Sequence, residues 1–172
     1  MSTGAGSTSV SGPALRTEIS RYAVIDLAVA EQLRPVIARL MRSAAEPLLA
    51  HKFAQELLEV GPWLVKLSAA PEVDSLLGEM DPGVPWGYYV HSTVDIVSLR
   101  QTLRRFNLAV IPDTPRPVLF RYWDPRVMGV FLKVASREQR ARMFEWIERI
   151  EAANGGFDEV RQARQTGGNV DS

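Results

Sequence analysis

The sequence predicts an α/β protein of the mixed, α+β-like kind, with a single five-stranded mixed sheet that contains a β-hairpin and is packed by about five or six helices. Three observations predict this class. Short apolar runs rich in β-branched residues alternate with longer segments whose apolar residues recur every three or four positions. Two of the runs are joined by a loop of hairpin length. Capping residues and prolines mark the starts of several helices.

The first third of the chain predicts one strand followed by two helices. Tyr22–Asp26 is a short apolar run and is expected to be a buried strand. The residues after it have helical spacing, and Pro35 either starts that helix near Arg34 or kinks it. A second helix is expected over 51–59, because Gly61 follows it as a stop.

The middle third predicts two more strands and two helices. Trp63–Leu67 and Trp86–Val90 have the composition of strands. Pro71–Met80 is expected to be a helix, with its proline in the first turn. Ser92–Asp95 has the spacing of a capping box, so a further helix should begin there. Its apolar face is expected over 96–106.

The next segment predicts the hairpin and the helix that follows it. Leu108–Ile111 and Val118–Trp123 are expected to pair across the loop Pro112–Arg116. Asp124 is placed to cap a helix, and Pro125 suits the first position of that helix. The order of the strands within the sheet does not follow from these signals.

A last helix is expected after Ser136, because Ser136–Gln139 is a second capping box. Its inward side is expected to include Met143, Ile147 and Ile150, which recur at helical spacing. This helix would complete the folded part of the chain.

The chain divides into a folded domain and two ends of low apolar content. Residues 1–20 are rich in Gly, Ser and Thr and are expected to be a disordered leader. Residues 154–172 contain two Gly-Gly pairs and are expected to be a flexible tail, with a weak helical turn near Asp158–Arg164. The folded domain is therefore expected over 21–153.

The composition excludes several classes of function. The chain has no cysteine, which excludes disulfides, Cys-ligated zinc, iron–sulfur clusters and thiol catalysis. Twenty Lys and Arg balance twenty Asp and Glu, so the basic excess of a generic nucleic-acid binder is missing. Neither a Gly-x-Ser-x-Gly elbow nor a phosphate-binding loop occurs. We therefore expect no catalysis, no cofactor, no nucleic-acid partner and no small-molecule substrate.

The two histidines, His51 and His91, stand apart from each other and from any metal-binding motif. His91 precedes Asp95 by four residues, so a local surface pair is its expected role. No bound metal is expected.

The sequence also predicts no membrane contact. No stretch approaches the roughly 20 apolar residues of a spanning helix, and the start of the chain lacks the pattern of a signal peptide. We therefore expect a cytoplasmic protein.

The densest group of candidate functional residues is Phe120–Arg126. If this segment begins as a strand, Arg121 and Trp123 share one of its faces. Asp124 has a structural explanation as a helix cap neutralised by a neighbouring arginine, which leaves the other arginine available to a partner. Arg and Trp are enriched among the residues that dominate interface energetics. Arg121, Trp123 and Arg126 are therefore candidate partner-binding residues.

A second candidate group is Arg100, Arg104 and Arg105, which lie largely away from the apolar face of their predicted helix. A solvated face or a protein interface is the favoured interpretation of this stripe, and a phosphate-facing stripe is the alternative.

Asp26 ends a predicted strand, where many α/β proteins place functional carboxylates. The structural interpretation is that its carboxylate caps the following turn. A deep pocket lined by Asp26, Arg121 and Asp124 would instead favour an enzyme that acts on a small phosphorylated substrate.

Five short blocks occur in order along the chain. They are Tyr22-x-x-Ile25-Asp26, Gly61-Pro62-Trp63-Leu64-Val65, Trp86-Gly87, Leu103-Arg104-Arg105-Phe106 and Leu119-Phe120-Arg121-Tyr122-Trp123-Asp124-Pro125-Arg126. Together they resemble the adaptor (chaperone) family of the bacterial type VI secretion system, long described as a domain of unknown function. The resemblance extends over about 22–150. Its motif positions, which include Asp26, Pro62, Trp63, Asp124 and Pro125, are expected to be mainly scaffold.

The resemblance implies a non-catalytic adaptor that binds a toxic effector protein in the cytoplasm and loads it onto the valine-glycine-repeat spike protein. Residues 21–153 would then be the adaptor domain. An immunity-type protein that binds and neutralises a toxin is the main alternative, because it would have the same composition. The small enzyme described above is the third interpretation.

Overall fold

The computed structural model of the chain describes residues 18–49 and 55–161. Residues 1–17 of the expected leader and 162–172 of the expected tail lie outside the described residues. His51 and the start of the helix expected over 51–59 also lie outside them.

The described residues form eight strands and six α-helices, together with two single turns of 3-10 helix. The strands are β1 (Ser20–Asp26), β2 (Ala45–Pro47), β3 (Pro62–Lys66), β4 (Gly87–Ser92), β5 (Leu108–Ala109), β6 (Val118–Leu119), β7 (Ile147–Ala152) and β8 (Asp158–Val160). The helices are α1 (Arg34–Leu40), α2 (Gln55–Val60), α3 (Pro71–Glu79), α4 (Ile96–Arg104), α5 (Pro125–Val134) and α6 (Arg137–Met143). None of these helices is long and apolar enough to cross a membrane.

The main sheet has six strands in the order β2-β3-β1-β4-β7-β8, and each neighbouring pair is antiparallel. The class of mixed helices and strands is therefore confirmed, but the prediction of a five-stranded mixed sheet is wrong. The predicted hairpin forms a separate two-stranded sheet, β5–β6, outside the main sheet. Two strands that the sequence did not predict, β2 and β8, form the edges of the main sheet.

The central strand β1 is held on both sides, by β3 and by β4. Its register places Asp26 opposite Pro62 and Ile25 opposite Gly87. Gly87 has a φ of +145°, and a Cβ atom there would lie 1.8 Å from the carbonyl oxygen of Val24. Only glycine allows β4 to approach β1 this closely.

Helices cover both faces of the sheet, so the domain has three layers. Tyr22 and Val24 of β1 point into a core that includes residues of α4, α5 and α6. Ala23 and Ile25 point the other way, into a core that includes residues of α1 and α3. The alternation along β1 follows the two-residue period of a strand, and both faces are buried because each has helices against it.

Most of the predicted helix starts are present. Arg34 and Pro35 begin α1, and Asp124 caps α5 by accepting a hydrogen bond from the backbone N–H of Arg126 at 2.9 Å. The capping box of Ser136 and Gln139 is also formed. These signals depend on contacts between residues a few positions apart, which is why the sequence predicted them well.

The capping box expected at Ser92–Asp95 is wrong. Asp95 is itself the cap of α4, and it accepts from the backbone N–H of Ser98 at 2.9 Å. Ser92 ends β4, where its hydroxyl donates to the carbonyl oxygen of Trp146 and accepts from the N–H of Val94.

The last predicted helix ends early. Helix α6 stops at Met143, and the residues expected to extend it form strand β7 beside β4. Ser92 pairs with Ile147 and His91 pairs with Arg149, so β7 has one extra residue at this point. This β-bulge lets Ile147 and Ile150 enter the same core although they are three positions apart. Their spacing imitates that of a helix.

Strand β8 stands where the sequence predicted a helical turn near Asp158–Arg164. It pairs with β7, and two ion pairs fasten it to the domain. Arg149 contacts Asp158 at 2.6 Å, and Arg140 contacts Glu159 at 2.7 Å. These contacts reach residues outside the segment, so its local composition gave no sign of them.

Candidate functional site

The segment Phe120–Trp123 is not the continuation of a strand. Strand β6 ends at Leu119, and the chain then turns, with the N–H of Tyr122 donating to the carbonyl oxygen of Phe120 at 2.9 Å. Tyr122 and Trp123 lie beyond this turn, and both are buried. The prediction that Arg121 and Trp123 share one face of a strand is therefore wrong.

Asp26 lies at the end of β1 with its carboxylate buried. One oxygen accepts from the backbone N–H of Ala28 at 3.0 Å and so caps the turn that follows the strand. The other accepts from the guanidinium of Arg121 at 3.2 Å. The carboxylate side chain is 3% exposed and the arginine side chain 53% exposed, so the acid is buried beneath the base.

Asp124 and Arg126 form a second pair of the same kind. The Nε and Nη2 atoms of Arg126 donate to the two carboxylate oxygens of Asp124 at 3.0 and 2.8 Å. The hydrogen bonds from Arg126 hold the pKa of the Asp124 carboxyl below its usual range, although burial acts in the opposite direction. The same pairing raises the pKa of the Arg126 guanidinium, which remains exposed.

These four residues form a neutral cluster in which the acids are buried and the bases reach solvent. Each acid is already bound by an arginine and by a backbone N–H, so both act in holding the turn and the helix start in place. Asp26, Arg121 and Asp124 line neither of the two grooves that lie beside α5.

His91, the predicted polar residue near the end of β4, is also paired within the chain. His91 contacts Glu151 at 2.9 Å, so its predicted pairing with Asp95 is wrong. Across the described residues, no group of three or more His, Asp or Glu side chains is placed to hold a metal ion.

The stripe Arg100, Arg104 and Arg105 divides into two half-buried residues and one exposed residue. Arg100 donates to the carbonyl oxygen of Pro47 at 3.1 Å and contacts Glu46 at 3.2 Å. Arg104 donates to the carbonyl oxygen of Leu49 at 3.1 Å. Burial, followed by the nearby Arg100, lowers the pKa of Arg104. Only Arg105 is well exposed, at 65%, and it contacts Glu145.

The predicted scaffold residues lie in the interior. Pro62, in β3, is buried, and Trp63 belongs to the core beneath α1 and α3. Pro125 is buried at the first position of α5. Trp123, a predicted contact residue, is 4% exposed and packs edge-on against Tyr122 with ring centroids 5.5 Å apart.

Helix α5 is apolar on two faces. Pro125, Met128 and Leu132 face the core. A second stripe, which we call the outer stripe, has the spacing i, i+3, i+4 and i+7 and consists of Val127, Val130, Phe131 and Val134. Val130 is 60% and Val134 75% exposed. A helix of a single domain normally has polar residues on its outer face, so this second stripe is the pattern of a binding surface.

The outer stripe adjoins two grooves that share Phe120 and Phe131. One has a volume of about 410 Å³ and is lined by the outer stripe and Arg126. The other, of about 640 Å³, is bounded by the end of α4, strand β5, Phe131 of α5 and helix α6, and Arg105 and Arg142 line it. We call the two together the α5–hairpin groove.

The hairpin contributes further exposed apolar side chains to this region. Leu108 and Val110 line the larger groove, and Val110 is 82% exposed. The hairpin also exposes Ile111, Val118 and Leu119, which line neither groove. A small molecule bound against such exposed side chains would remain largely in water. In most binding sites, about 70–90% of the surface of a drug-sized ligand is buried. The surface instead has the character of a protein interface, with an apolar centre and arginines at its rim.

The charge of the chain is unevenly distributed around this surface. Residues 100–145 contain ten Lys and Arg but only four Asp and Glu, a net charge of +6, whereas the whole chain is neutral. The α5–hairpin groove is built almost entirely from this segment. The net charge of the whole chain does not show this local excess of basic residues.

Sequence reasoning therefore selected Arg105 and Arg126 at the rim of the groove but missed the apolar side chains at its centre. A signal was available, because six of the ten residues of α5 are Val, Met, Phe or Leu. That is more than one core-facing stripe of a short helix can bury.

The fold and the groove define a class of protein: a three-layer antiparallel α+β domain with an exposed apolar surface bordered by arginines. The model of the family described as "Domain of unknown function (DUF4123)" matches residues 21–142, and the chain belongs to this family. Neither the search of curated proteins nor that of solved structures found a significant match.

Proposed function

We propose that the chain is a non-catalytic adaptor that binds a toxic effector protein in the bacterial cytoplasm and loads it onto the type VI secretion spike. The observation that carries this proposal is the α5–hairpin groove, because an exposed apolar helix face bordered by arginines is typical of a protein-binding site. The resemblance of the five sequence blocks to type VI adaptors supplies the identity of the partners.

The chemistry of the charged cluster supports the same proposal. Asp26 and Asp124 are each engaged by an arginine and a backbone N–H. A general acid or base must instead reach the proton that it transfers. These carboxylates therefore serve the scaffold, which places the apolar surface of α5.

The proposal is tested by co-expressing the tagged chain with each protein encoded beside its gene. We expect one effector to co-elute in size-exclusion chromatography, with a dissociation constant between about 1 nM and 1 μM. We also expect loss of the gene to stop export of that effector, and a complex with the spike protein to form. If no neighbouring protein co-elutes, the adaptor function is wrong.

A toxicity assay separates the adaptor from an immunity-type protein. Co-expression with an adaptor should raise the amount of effector and leave its toxicity intact once the effector reaches its target compartment. An immunity-type protein should abolish toxicity in that compartment, and this result would replace the adaptor proposal.

A further inference from the structure

We propose that the α5–hairpin groove binds an acidic amphipathic α-helix of the partner protein. This deepens the proposed function and rests on it only in taking the chain to bind proteins. The proposal names the secondary structure and charge of the bound segment, which the adaptor function by itself does not specify.

The shape of the surface favours a helix. The outer stripe repeats at i, i+3, i+4 and i+7, so it forms a straight apolar ridge against which a second helix can pack. Helix α5 has ten residues and is therefore about 15 Å long, which matches roughly three turns of a partner helix. Strand addition is disfavoured, because β5 and β6 have two residues each and offer too short an edge.

The charge around the groove favours an acidic occupant. Arg105, Arg126 and Arg142 line it, and their side chains are 65%, 72% and 74% exposed. Each has an acidic neighbour in the chain. Three further cations of the segment 100–145, Arg100, Arg121 and Arg140, pair with acids outside it, so the segment together with those three acids has a net charge of +3. Carboxylates on the polar flank of a partner helix would meet this excess.

Other occupants fit less well. A second copy would bring two surfaces of the same positive sign together. The chain outside the structure at its start, 1–17, contains one arginine and no acid. The chain outside it at the end, 162–172, contains one arginine and one aspartate and has Val170 as its only large apolar residue. Neither end has the composition of an acidic amphipathic helix.

The test uses two labelled peptides of about 18 residues, or five helical turns, with leucine at the same helical positions. One has glutamate on its polar face and the other lysine. Fluorescence anisotropy with the full chain should show the glutamate peptide binding at least about tenfold more tightly, with the difference shrinking as salt is added. Equal binding of the two peptides, or no binding of either, would overturn the proposal.

Variants of one exposed residue locate the binding. Val130→Glu should weaken binding of the glutamate peptide by about tenfold or more, and Val130→Lys should weaken it by clearly less. The control is Val97→Glu on α4, where the valine is 48% exposed and outside the groove, and it should bind as the wild type does. If Val97→Glu weakens binding as much as Val130→Glu, the site is not this groove.

A photo-crosslinking residue at position 130 identifies the occupant directly. Attachment to the glutamate peptide supports the proposal. Attachment to a second copy, or to residues 1–17 or 162–172 of the chain itself, overturns it. Co-elution of an effector without peptide selectivity would leave the adaptor function standing and reject the acidic helix. Peptide selectivity without any co-eluting effector would support the acidic helix and reject the adaptor function.

Discussion

Arg121 donates to the buried carboxylate of Asp26 at 3.2 Å across 95 positions of sequence. The contact joins the end of the central strand β1 to the turn that precedes α5. Asp26 also caps the turn after β1, so one carboxylate fixes two loops at once. This contact and the Asp124 cap both lie at the start of α5, the helix that carries the outer stripe.

Asp124 and Arg126 should respond differently to truncation. Asp124→Ala removes the cap of α5 and should lower the free energy of unfolding by about 1 kcal/mol or more. Arg126→Ala keeps the cap but leaves the Asp124 carboxylate, whose side chain is only 8% exposed, without its arginine. It should be the more destabilising of the two changes, because a buried charge left unpaired costs more than a lost cap. Urea denaturation of both variants measures the difference. If Asp124→Ala is as stable as the wild type but fails to bind a partner, Asp124 is itself a contact residue.

The pH dependence of stability should show the depressed pKa of Asp124. A carboxyl whose pKa is lower in the folded state stabilises the fold above its unfolded value of about 3.9, and this stabilisation disappears as pH falls through the folded value. The stability of the wild type should therefore fall more steeply below about pH 4 than that of Asp124→Asn. Asp113→Asn, in the exposed hairpin loop, is the control. Parallel curves for the wild type and Asp124→Asn would contradict the assignment.

Two glycine substitutions should have opposite effects. Gly87→Ala places a methyl group 1.8 Å from the carbonyl oxygen of Val24 and should cost about 3 kcal/mol or prevent folding. Gly78→Ala, in α3, meets no atom within 4 Å and should raise the free energy of unfolding by about 0.5–1 kcal/mol. Thermal melting compares the two. A Gly87→Ala protein of normal stability would show that β4 does not approach β1 as described.

The arginines of α4 should also separate into structural and surface residues. Arg100→Ala removes a partner of Glu46, whose side chain is 16% exposed, and should cost about 1.5–3 kcal/mol. Arg105→Ala removes an exposed pair and should change stability by less than about 1 kcal/mol. Equilibrium unfolding in urea distinguishes them, and equal losses for both variants would contradict the structural role of the half-buried Arg100.

The features that the sequence by itself determined are local ones. The caps at Asp124 and Ser136 and the start of α1 at Pro35 depend on residues no more than a few positions apart. Strand β1 was also predictable, because a continuous apolar run suits a strand with both faces buried. Family membership likewise follows from residues 21–142 alone.

Only the tertiary structure decided features that depend on distant partners. Ile147 and Ile150 have helical spacing, yet β4 captures them as a strand because a bulge turns both toward the core. Arg100 and Arg105 belong to the same predicted stripe, but β2 lies against the first and solvent against the second. The exposure of the outer stripe could not be predicted from the sequence for the same reason. Periodicity shows which residues share a helix face, but the neighbouring elements decide whether that face is covered.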